Sequence, residues 1–315
     1  MSRRPIHSNT PSASYAGAHA SAWSSRLNGG LSGLVHAYYR LTKPGIVWSN
    51  TLMAAAGFCL AATHAGMFDV NALIGVVTGT ALVIAAACIV NNYIDRGIDS
   101  KMKRTRGRAL VTHDISAKAA LSYAAVLLLA GFGLLVFLTN WLVVLLGAVA
   151  FFSYVVLYGI AKRKTAFGTL VGTLPGGLPP VAGYAAVTGT LDLAALLLFL
   201  LLLSWQMAHF YAIAMRRRSE YKAAGLPVWA VVYGMEATKR QIIGFIVLYI
   251  AAGLALTIFS YTGIIFAIVT TTLGVVWLLK GRGEANEAWA TRMFVFSLLV
   301  LLITIAMIAL GGLLP

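Results

Sequence analysis

The chain has 315 residues, of which 60% are hydrophobic and only 10% are charged. Because an average soluble domain is about one quarter charged, this composition excludes an ordinary soluble protein and indicates an integral membrane protein. The net charge of +15 raises the alternative of a nucleic-acid partner, but the positions of the bases along the chain argue for membrane topology instead.

The N-terminal region differs in composition from the rest of the chain. Residues 1–30 are rich in Ser, Ala, Gly and Arg, contain no acid, and lack the apolar core of a signal peptide. We therefore predict a disordered cytoplasmic tail over residues 1–35, followed by a single membrane domain over residues 36–315. A mitochondrial transit peptide is the alternative interpretation of the same composition. Residues 34–45 predict a short amphipathic segment that turns into the first membrane span at Pro44.

Nine apolar stretches follow, each close to the roughly 20 residues that a helix needs to cross a bilayer. Transmembrane strands would instead give shorter segments of alternating hydrophobicity. The sequence therefore predicts an all-α integral membrane protein with nine transmembrane helices. The nine stretches cover, approximately, residues 45–63, 71–92, 119–138, 141–160, 168–188, 193–214, 241–259, 262–280 and 293–313.

The bases are distributed asymmetrically among the connections. Every Lys and Arg falls in the N-terminal region or after the second, fourth, sixth or eighth span. The other connections contain only two charged residues, Asp69 and Asp192. By the positive-inside rule, the N-terminus and the basic connections are predicted to be cytoplasmic. We therefore expect a multi-pass protein of the bacterial inner (plasma) membrane, with the lipid bilayer as a partner and no nucleic acid. The mitochondrial inner membrane is the alternative.

The segment NNYIDRGIDSKMKRTRGR, residues 91–108, directly follows the second span. Asn91, Asp95 and Asp99 stand at i, i+4 and i+8 and so project from one helical face. Their oxygens suit Mg²⁺, which completes its coordination shell with water and substrate phosphates. The bases that follow would neutralise a phosphorylated substrate; they are Lys101, Lys103, Arg104, Arg106 and Arg108. A solvated loop with weak ion pairs is the alternative.

A second polar stretch, WQMAHFYAIAMRRRSEYKAAGLPV, covers residues 205–228. Gln206 and His209 lie within the sixth apolar span, share a helical face with Ile213, and are expected to face the bundle interior. Glu220 follows a run of three arginines at 216–218. A hydrogen-bonded structural role is the alternative for His209, and anchoring of the membrane topology is the alternative for the arginines.

A third stretch covers residues 158–189. Lys162, Arg163 and Lys164 form the cytoplasmic connection between the fourth and fifth spans. The fifth span is so rich in Gly and Pro that we expect it to bend or break. These residues would either line a cavity or allow close helix packing, and both interpretations remain open. The Gly and Pro residues of this span are Gly168, Gly172, Gly176, Gly177, Gly183, Pro175, Pro179 and Pro180.

On these three stretches the chain resembles the UbiA superfamily of intramembrane prenyltransferases. Asn91, Asp95 and Asp99 match the superfamily motif Asn-x3-Asp-x3-Asp, and residues 91–108 match the form that this motif takes in the branch that farnesylates haem. LTKPGI (41–46), GTLVGTLPGGLPPVAGYAAVTG (168–189) and WQMAHFYAIA (205–214) resemble the same branch. The chain departs from many members at Arg216, four residues before Glu220, where they carry an Asp. The resemblance therefore does not imply a full second metal site.

The resemblance implies a UbiA-type bundle around a central cavity and transfer of a farnesyl group from farnesyl diphosphate to a vinyl group of haem B. Water addition would then give haem O and diphosphate, with haem B as a substrate and Mg²⁺ as the cofactor. Asn91, Asp95 and Asp99 would hold Mg²⁺ and, with Lys162 and Arg163, form the catalytic set. The implied substrate-binding residues are Lys101, Arg104, Arg108, Tyr158, Gln206, His209, Tyr211 and Glu220.

Several alternatives remain open at this point. His209 would orient haem, contact its iron or assist the capture of water. The acceptor would alternatively be a quinone precursor or another tetrapyrrole, and a bundle with a Gly- and Pro-rich helix is also typical of transporters. A haem A synthase or a terminal oxidase is the partner that the resemblance suggests for the product.

Overall fold

The computed structural model describes residues 30–315, so residues 1–29 of the predicted tail lie outside it. The described part consists of helices and turns without a strand, which confirms the all-α prediction. In chain order the helices are α1 (Gly30–Leu41), α2 (Pro44–Ala65), α3 (Val70–Asp99), α4 (Ala117–Leu138), α5 (Trp141–Phe152), a π-helical turn (Ser153–Leu157), α6 (Tyr158–Lys164), α7 (Gly168–Thr188), α8 (Leu193–Arg216), α9 (Arg218–Ala223), α10 (Trp229–Val232), α11 (Gly234–Ile258), α12 (Ile264–Lys280) and α13 (Glu287–Leu310).

The helices cover the predicted membrane spans. Among the described residues, seven helical segments are long and apolar enough to cross a membrane, and one of these joins α5, the π-helical turn and α6. The other two predicted spans correspond to α7, which has three internal prolines, and to α12, which has only 17 residues. The multi-pass membrane class is therefore confirmed. The number of nine crossings and the cytoplasmic N-terminus stay predictions.

The two acids of the short connections have a structural role as helix caps. The Asp69 carboxylate accepts hydrogen bonds from the backbone N–H groups of Asn71 and Ala72 at the start of α3. The Asp192 carboxylate accepts one from the N–H of Ala195 at the start of α8. Each cap of this kind stabilises a helix start by about 0.5–2 kcal/mol, and here the caps fix where two of the central helices begin.

Helices α2 and α7 cross at very short range. A Cβ atom built on Gly183 would lie 1.8 Å from the Ala54 carbonyl oxygen, and one built on Gly57 would lie 2.0 Å from that of Pro180. Only glycine permits such an approach of two backbones. Helix α7 is continuous from Gly168 to Thr188 despite its prolines, so of the two expected outcomes, a bend or a break, the break does not occur. Close packing on both sides holds the helix together.

The packing of the central helices defines where a buried site can lie. Helices α2 and α8 each pack against both α7 and α13. Helices α7 and α13 therefore stand on either side of the region between α2 and α8. Helix α3 packs on α2 and α4 and carries the polar motif of residues 91–99 at its C-terminal end.

Candidate active site

The three polar residues of the α3 motif lie side by side in the structure. Asn91, Asp95 and Asp99 occupy the last turns of α3 and expose only 3%, 8% and 5% of their surface. Buried carboxylates are costly unless they are paired or bind metal. This set, which we call the acidic row, is therefore stabilised by its immediate neighbours.

Asp95, in the middle of the acidic row, is paired with two bases from the end of the fourth span. The Lys162 ammonium donates to Asp95 Oδ2. The Arg163 guanidinium donates to Asp95 Oδ1 at 3.0 Å and to the Ile94 carbonyl at 2.8 Å. Lys162 also lies 4.8 Å from the ring centre of Tyr158. The structure thus brings two bases of the connection between the fourth and fifth spans against the acidic row.

The two ends of the acidic row are each contacted by one further base. Arg108 Nη1 lies 2.6 Å from Asp99 Oδ2, and Lys43 Nζ donates to Asn91 Oδ1 at 2.8 Å. Lys43 precedes α2 with a left-handed backbone (φ 55°), and burial lowers its pKa to about 8. The sequence analysis did not identify Lys43, although LTKPGI, the motif that contains it, was one of those that carried the resemblance.

A row of glycines on α7 makes room for three candidate residues. A Cβ on Gly168 would lie 2.5 Å from Lys162 Cα, and one on Gly172 would lie 2.9 Å from the Tyr158 ring. One turn further along, a Cβ on Gly176 would lie 2.1 Å from Gln206 Oε1. The glycine spacing thus has a specific purpose, which is to let the side chains and backbone of neighbouring helices approach α7.

The segment around Glu220, which follows α8, lies near the segment that follows the acidic row. Glu220 pairs through Oε1 with Arg217 at 2.8 Å, whereas its Oε2 atom is buried without a partner among the described residues. Burial raises the pKa of the neighbouring Tyr221, which lies within electrostatic range of Arg104. Tyr158 is in turn within range of Tyr221, Arg104 and Asp95. Tyr158 is therefore an electrostatic neighbour of both the segment around Glu220 and the segment of residues 91–108.

Some residues of the basic segment are not brought into contact with the acidic row. Lys101, Lys103 and Arg106 have exposed side chains, and none of these side chains forms a hydrogen bond or ion pair with another described residue. Arg104 is exposed as well, but it lies within range of Tyr158 and Tyr221. The structure thus separates the inner bases of the site from the solvated outer ones.

The candidate residues of α8 lie on two different sides of this helix. Gln206 and His209 are buried, at 4% and 8% exposure, and contact α7 and α13 respectively. Tyr211 packs instead against Trp229 and Phe245, with ring centres 6.2 Å away in both cases. The structure therefore places Tyr211 in an aromatic cluster with α10 and α11, away from Gln206 and His209.

The acidic row fits a hard divalent cation. It offers two carboxylates and an amide oxygen on one face, and the buried Nδ2 atom of Asn91 has no partner among the described residues. The described residues contain no cluster of three or more His, Cys, Asp or Glu that could enclose a metal. A cation at the row would therefore take its remaining ligands from water and phosphate, which is the usual arrangement for Mg²⁺.

Comparison with known proteins identifies a family of prenyltransferases. The sequence profile of the UbiA prenyltransferase family matches residues 51–299. The chain is 44% identical to protoheme IX farnesyltransferase 2 of Chromobacterium violaceum, over 88% of this chain and 93% of that protein. It is 42% identical to protoheme IX farnesyltransferase of Sodalis glossinidius, over 85% of this chain and 92% of that protein.

Solved structures show the same fold at low sequence identity. A chain from a structural study of digeranylgeranylglyceryl phosphate synthase superposes with a TM-score of 0.70 at 18% identity, covering 88% of this chain and 98% of that chain. A UbiA homologue from Archaeoglobus fulgidus, solved with GPP and Mg²⁺ bound, superposes with a TM-score of 0.66 at 18% identity, covering 86% and 99% of the two chains.

Proposed function

The chain belongs to the UbiA prenyltransferase family, and we propose that it transfers the farnesyl group of farnesyl diphosphate to a vinyl group of haem B. Addition of water then gives haem O, and diphosphate is released. The relatives named protoheme IX farnesyltransferase support the choice of acceptor. The observation that carries the proposal is the buried acidic row with bases held against each of its members.

The charges of the site suit a diphosphate with its metal. Four bases, Lys43, Arg108, Lys162 and Arg163, contact a row that contains two carboxylates, so the bases exceed the acids by 4 − 2 = 2 charges. A Mg²⁺ held by Asn91, Asp95 and Asp99 would add positive charge beside the diphosphate and act as a Lewis acid toward it. The bases released from the carboxylates would then donate to the diphosphate. They would stabilise the negative charge that develops as it leaves.

The surroundings of the row suit the carbon chemistry. Departure of diphosphate breaks the bond between farnesyl C1 and oxygen and leaves an allylic cation. Tyr158 stacks on Tyr154 with ring centres 5.6 Å apart, and aromatic rings beside the row would stabilise such a cation. The haem vinyl group supplies the electrons for the new carbon–carbon bond, so no covalent intermediate with the protein is needed.

We further propose that the active-site rim is cytoplasmic and that the protein lies in the bacterial inner membrane. The bases near the acidic row belong to the connections that the positive-inside rule assigns to the cytoplasm. Prenyl diphosphates and Mg²⁺ are polar solutes that would reach the row from that side without crossing the bilayer.

A reconstitution assay tests the proposed function. Purified protein in detergent receives haem B, farnesyl diphosphate and Mg²⁺, and the products are identified by mass spectrometry. We expect haem O in the complete mixture and none after addition of EDTA. Parallel mixtures in which a quinone precursor replaces haem B should give no farnesylated product. Farnesylation of the quinone precursor alone would overturn the assignment of the acceptor.

A further inference from the structure

We propose that His209 and Gln206 hold the water molecule that is added during the reaction and that His209 accepts its proton. Ser297 serves as the positioning residue for His209. The inference rests on the proposed farnesyl transfer to haem, because only an acceptor whose cation is captured by water needs this step. It chooses one role for His209 among the three that the sequence leaves open.

The side chains of Gln206 and His209 lie on either side of one strip of the α8 surface, which we call the sector between them. Gln206 lies against Gly176 of α7, and His209 lies against Ser297 of α13. Residues three apart on a helix differ by about 60° in direction. Because α7 and α13 both also pack on α2, the sector between Gln206 and His209 faces the region between α8 and α2.

The hydrogen bonds of Ser297 point to one tautomer of His209. The Ser297 hydroxyl donates its single hydrogen to the Phe294 carbonyl oxygen at 2.5 Å. Ser297 Oγ also lies 2.6 Å from His209 Nδ1. Because its hydrogen is assigned to the Phe294 carbonyl, Ser297 Oγ accepts from an Nδ1–H group of His209. A neutral imidazole protonated at Nδ1 carries its lone pair at Nε2. His209 Nε2 has no hydrogen-bond partner among the described residues and remains available as an acceptor.

The orientation of the His209 ring is also fixed. The ring stacks on Trp205 with centroids 4.8 Å apart and an angle of 20° between the planes. The Trp205 indole N–H donates to the Ser297 carbonyl at 2.8 Å, so both rings are anchored to one residue of α13. The Phe294 ring lies 5.1 Å away from that of His209. These aromatic faces suit a site in which positive charge develops.

Gln206 supplies the complementary group. Its Nε2 amide is buried without a partner among the described residues, and a buried donor left without a hydrogen bond is destabilising. A water molecule between the two side chains would accept from Gln206 Nε2 and donate to His209 Nε2. This arrangement satisfies the orphaned donor and aims a water lone pair away from both protein groups.

The chemical step is balanced with these residues. The terminal carbon of the vinyl group bonds to farnesyl C1 as the bond from C1 to diphosphate breaks, which leaves a cation on the inner vinyl carbon. The water oxygen bonds to this carbon, and the water proton passes to His209 Nε2. Without an oriented water and base, the cation instead loses a proton from the adjacent carbon and forms an alkene.

The experiment measures the product and not only the rate. Wild type and variants are incubated with haem B, farnesyl diphosphate and Mg²⁺ in ¹⁸O-labelled water, and the ratio of the hydrated, labelled product to the alkene is measured by mass spectrometry. His209→Phe keeps an aromatic ring beside Trp205 and should lower this ratio by about 100-fold, which is the lower end of general-base effects. Ser297→Ala should lower it by less, because only the tautomer and orientation are lost.

Two further variants test the water position and the folding control. Gly176→Ala places a methyl group against the Gln206 amide and should lower the ratio without removing the amide. Ser204→Ala removes another buried hydroxyl of α8, which donates only to the Leu200 carbonyl, and should leave the ratio unchanged.

The possible results separate the inference from the proposed function. Absence of any farnesylated haem with the wild type would overturn the proposed function. Haem O formation by the wild type together with an unchanged product ratio in His209→Phe would overturn only the inference. If haem binding shifts the Soret band with the wild type but not with His209→Phe, and the product ratio is unchanged, then His209 is a ligand of the haem iron. That result would also overturn the inference.

Discussion

Replacement of Arg108 by glutamine should change two affinities in opposite directions. Arg108 is paired with Asp99 in the structure, but the proposed mechanism assigns Asp99 to Mg²⁺ and Arg108 to the diphosphate. The variant therefore removes a competitor of the metal and, at the same time, a ligand of the substrate. Mg²⁺ alone should bind more tightly, and farnesyl diphosphate in the presence of saturating Mg²⁺ should bind less tightly.

The magnitude follows from the Arg108–Asp99 pair. At 2.6 Å, and with an effective dielectric constant of about 20, the Coulomb attraction is roughly 6 kcal/mol. Desolvation of buried Asp99 and half-buried Arg108 offsets most of it, and a hydrogen bond between charged groups retains about 1.5–3 kcal/mol. At about 1.4 kcal/mol per factor of ten, each affinity should change by roughly ten- to a hundredfold.

Isothermal titration of the detergent-solubilised protein measures both affinities. The first titration uses Mg²⁺ alone, and the second uses farnesyl thiodiphosphate, whose leaving group departs slowly, at saturating Mg²⁺. Arg106→Gln is the matched control, because Arg106 lies on the same segment with an exposed side chain and should change neither affinity. Unchanged or weaker binding of Mg²⁺ to the Arg108 variant would refute the argument that base and metal compete for Asp99.

Three further predictions concern other parts of the site and the fold. Lys162→Met should lower turnover by about 10²–10³-fold, as loss of one preorganised charge donor does. Lys164→Met, at an exposed neighbouring position, should not lower turnover. Similar rates for the two variants in the reconstitution assay would contradict the role of Lys162. Gly183→Ala places a methyl group 1.8 Å from the Ala54 carbonyl and should destabilise the protein by about 1–3 kcal/mol, whereas Gly133→Ala, which has open space around its Cβ, should stabilise it slightly. Thermal unfolding in detergent compares the two glycine variants, and equal midpoints would exclude the close crossing of α2 and α7. Glu220→Gln weakens the ion pair with Arg217 and should lower turnover about tenfold, equivalent to about 1.4 kcal/mol. The affinity for Mg²⁺ without substrate should stay unchanged. A weaker Mg²⁺ affinity of this variant would instead make Glu220 a metal ligand.

The sequence predicted the parts of the molecule that depend on local periodicity. The helical period placed Asn91, Asp95 and Asp99 on one face, and the structure has all three on the buried side of α3. The apolar stretches likewise coincide with helices, because hydropathy and span length constrain them directly. Only the family resemblance, and no local pattern, grouped Lys162 and Arg163 with the motif.

The contacts that the sequence could not reveal connect distant parts of the chain. Lys43 and Asn91 are 48 residues apart, and His209 and Ser297 are 88 apart, so no local pattern relates them. Tyr211 lies next to candidate residues in sequence, but its direction on α8 takes it to Trp229 and Phe245. The unbroken course of α7 shows the same limit, because tertiary packing on α2 overrides the local tendency of its prolines to interrupt a helix.

The proposed mechanism requires the acidic row to bind Mg²⁺ together with the diphosphate. The most direct measurement is the Mg²⁺ dependence of farnesyl thiodiphosphate binding to the wild type and to Asp95→Asn. Asp69→Asn is the control, because Asp69 caps the opposite end of α3 and asparagine caps helices equally well. We predict Mg²⁺-dependent binding by the wild type and by Asp69→Asn, and its loss in a folded Asp95→Asn protein. Binding by Asp95→Asn with the wild-type dependence on Mg²⁺ would contradict the account.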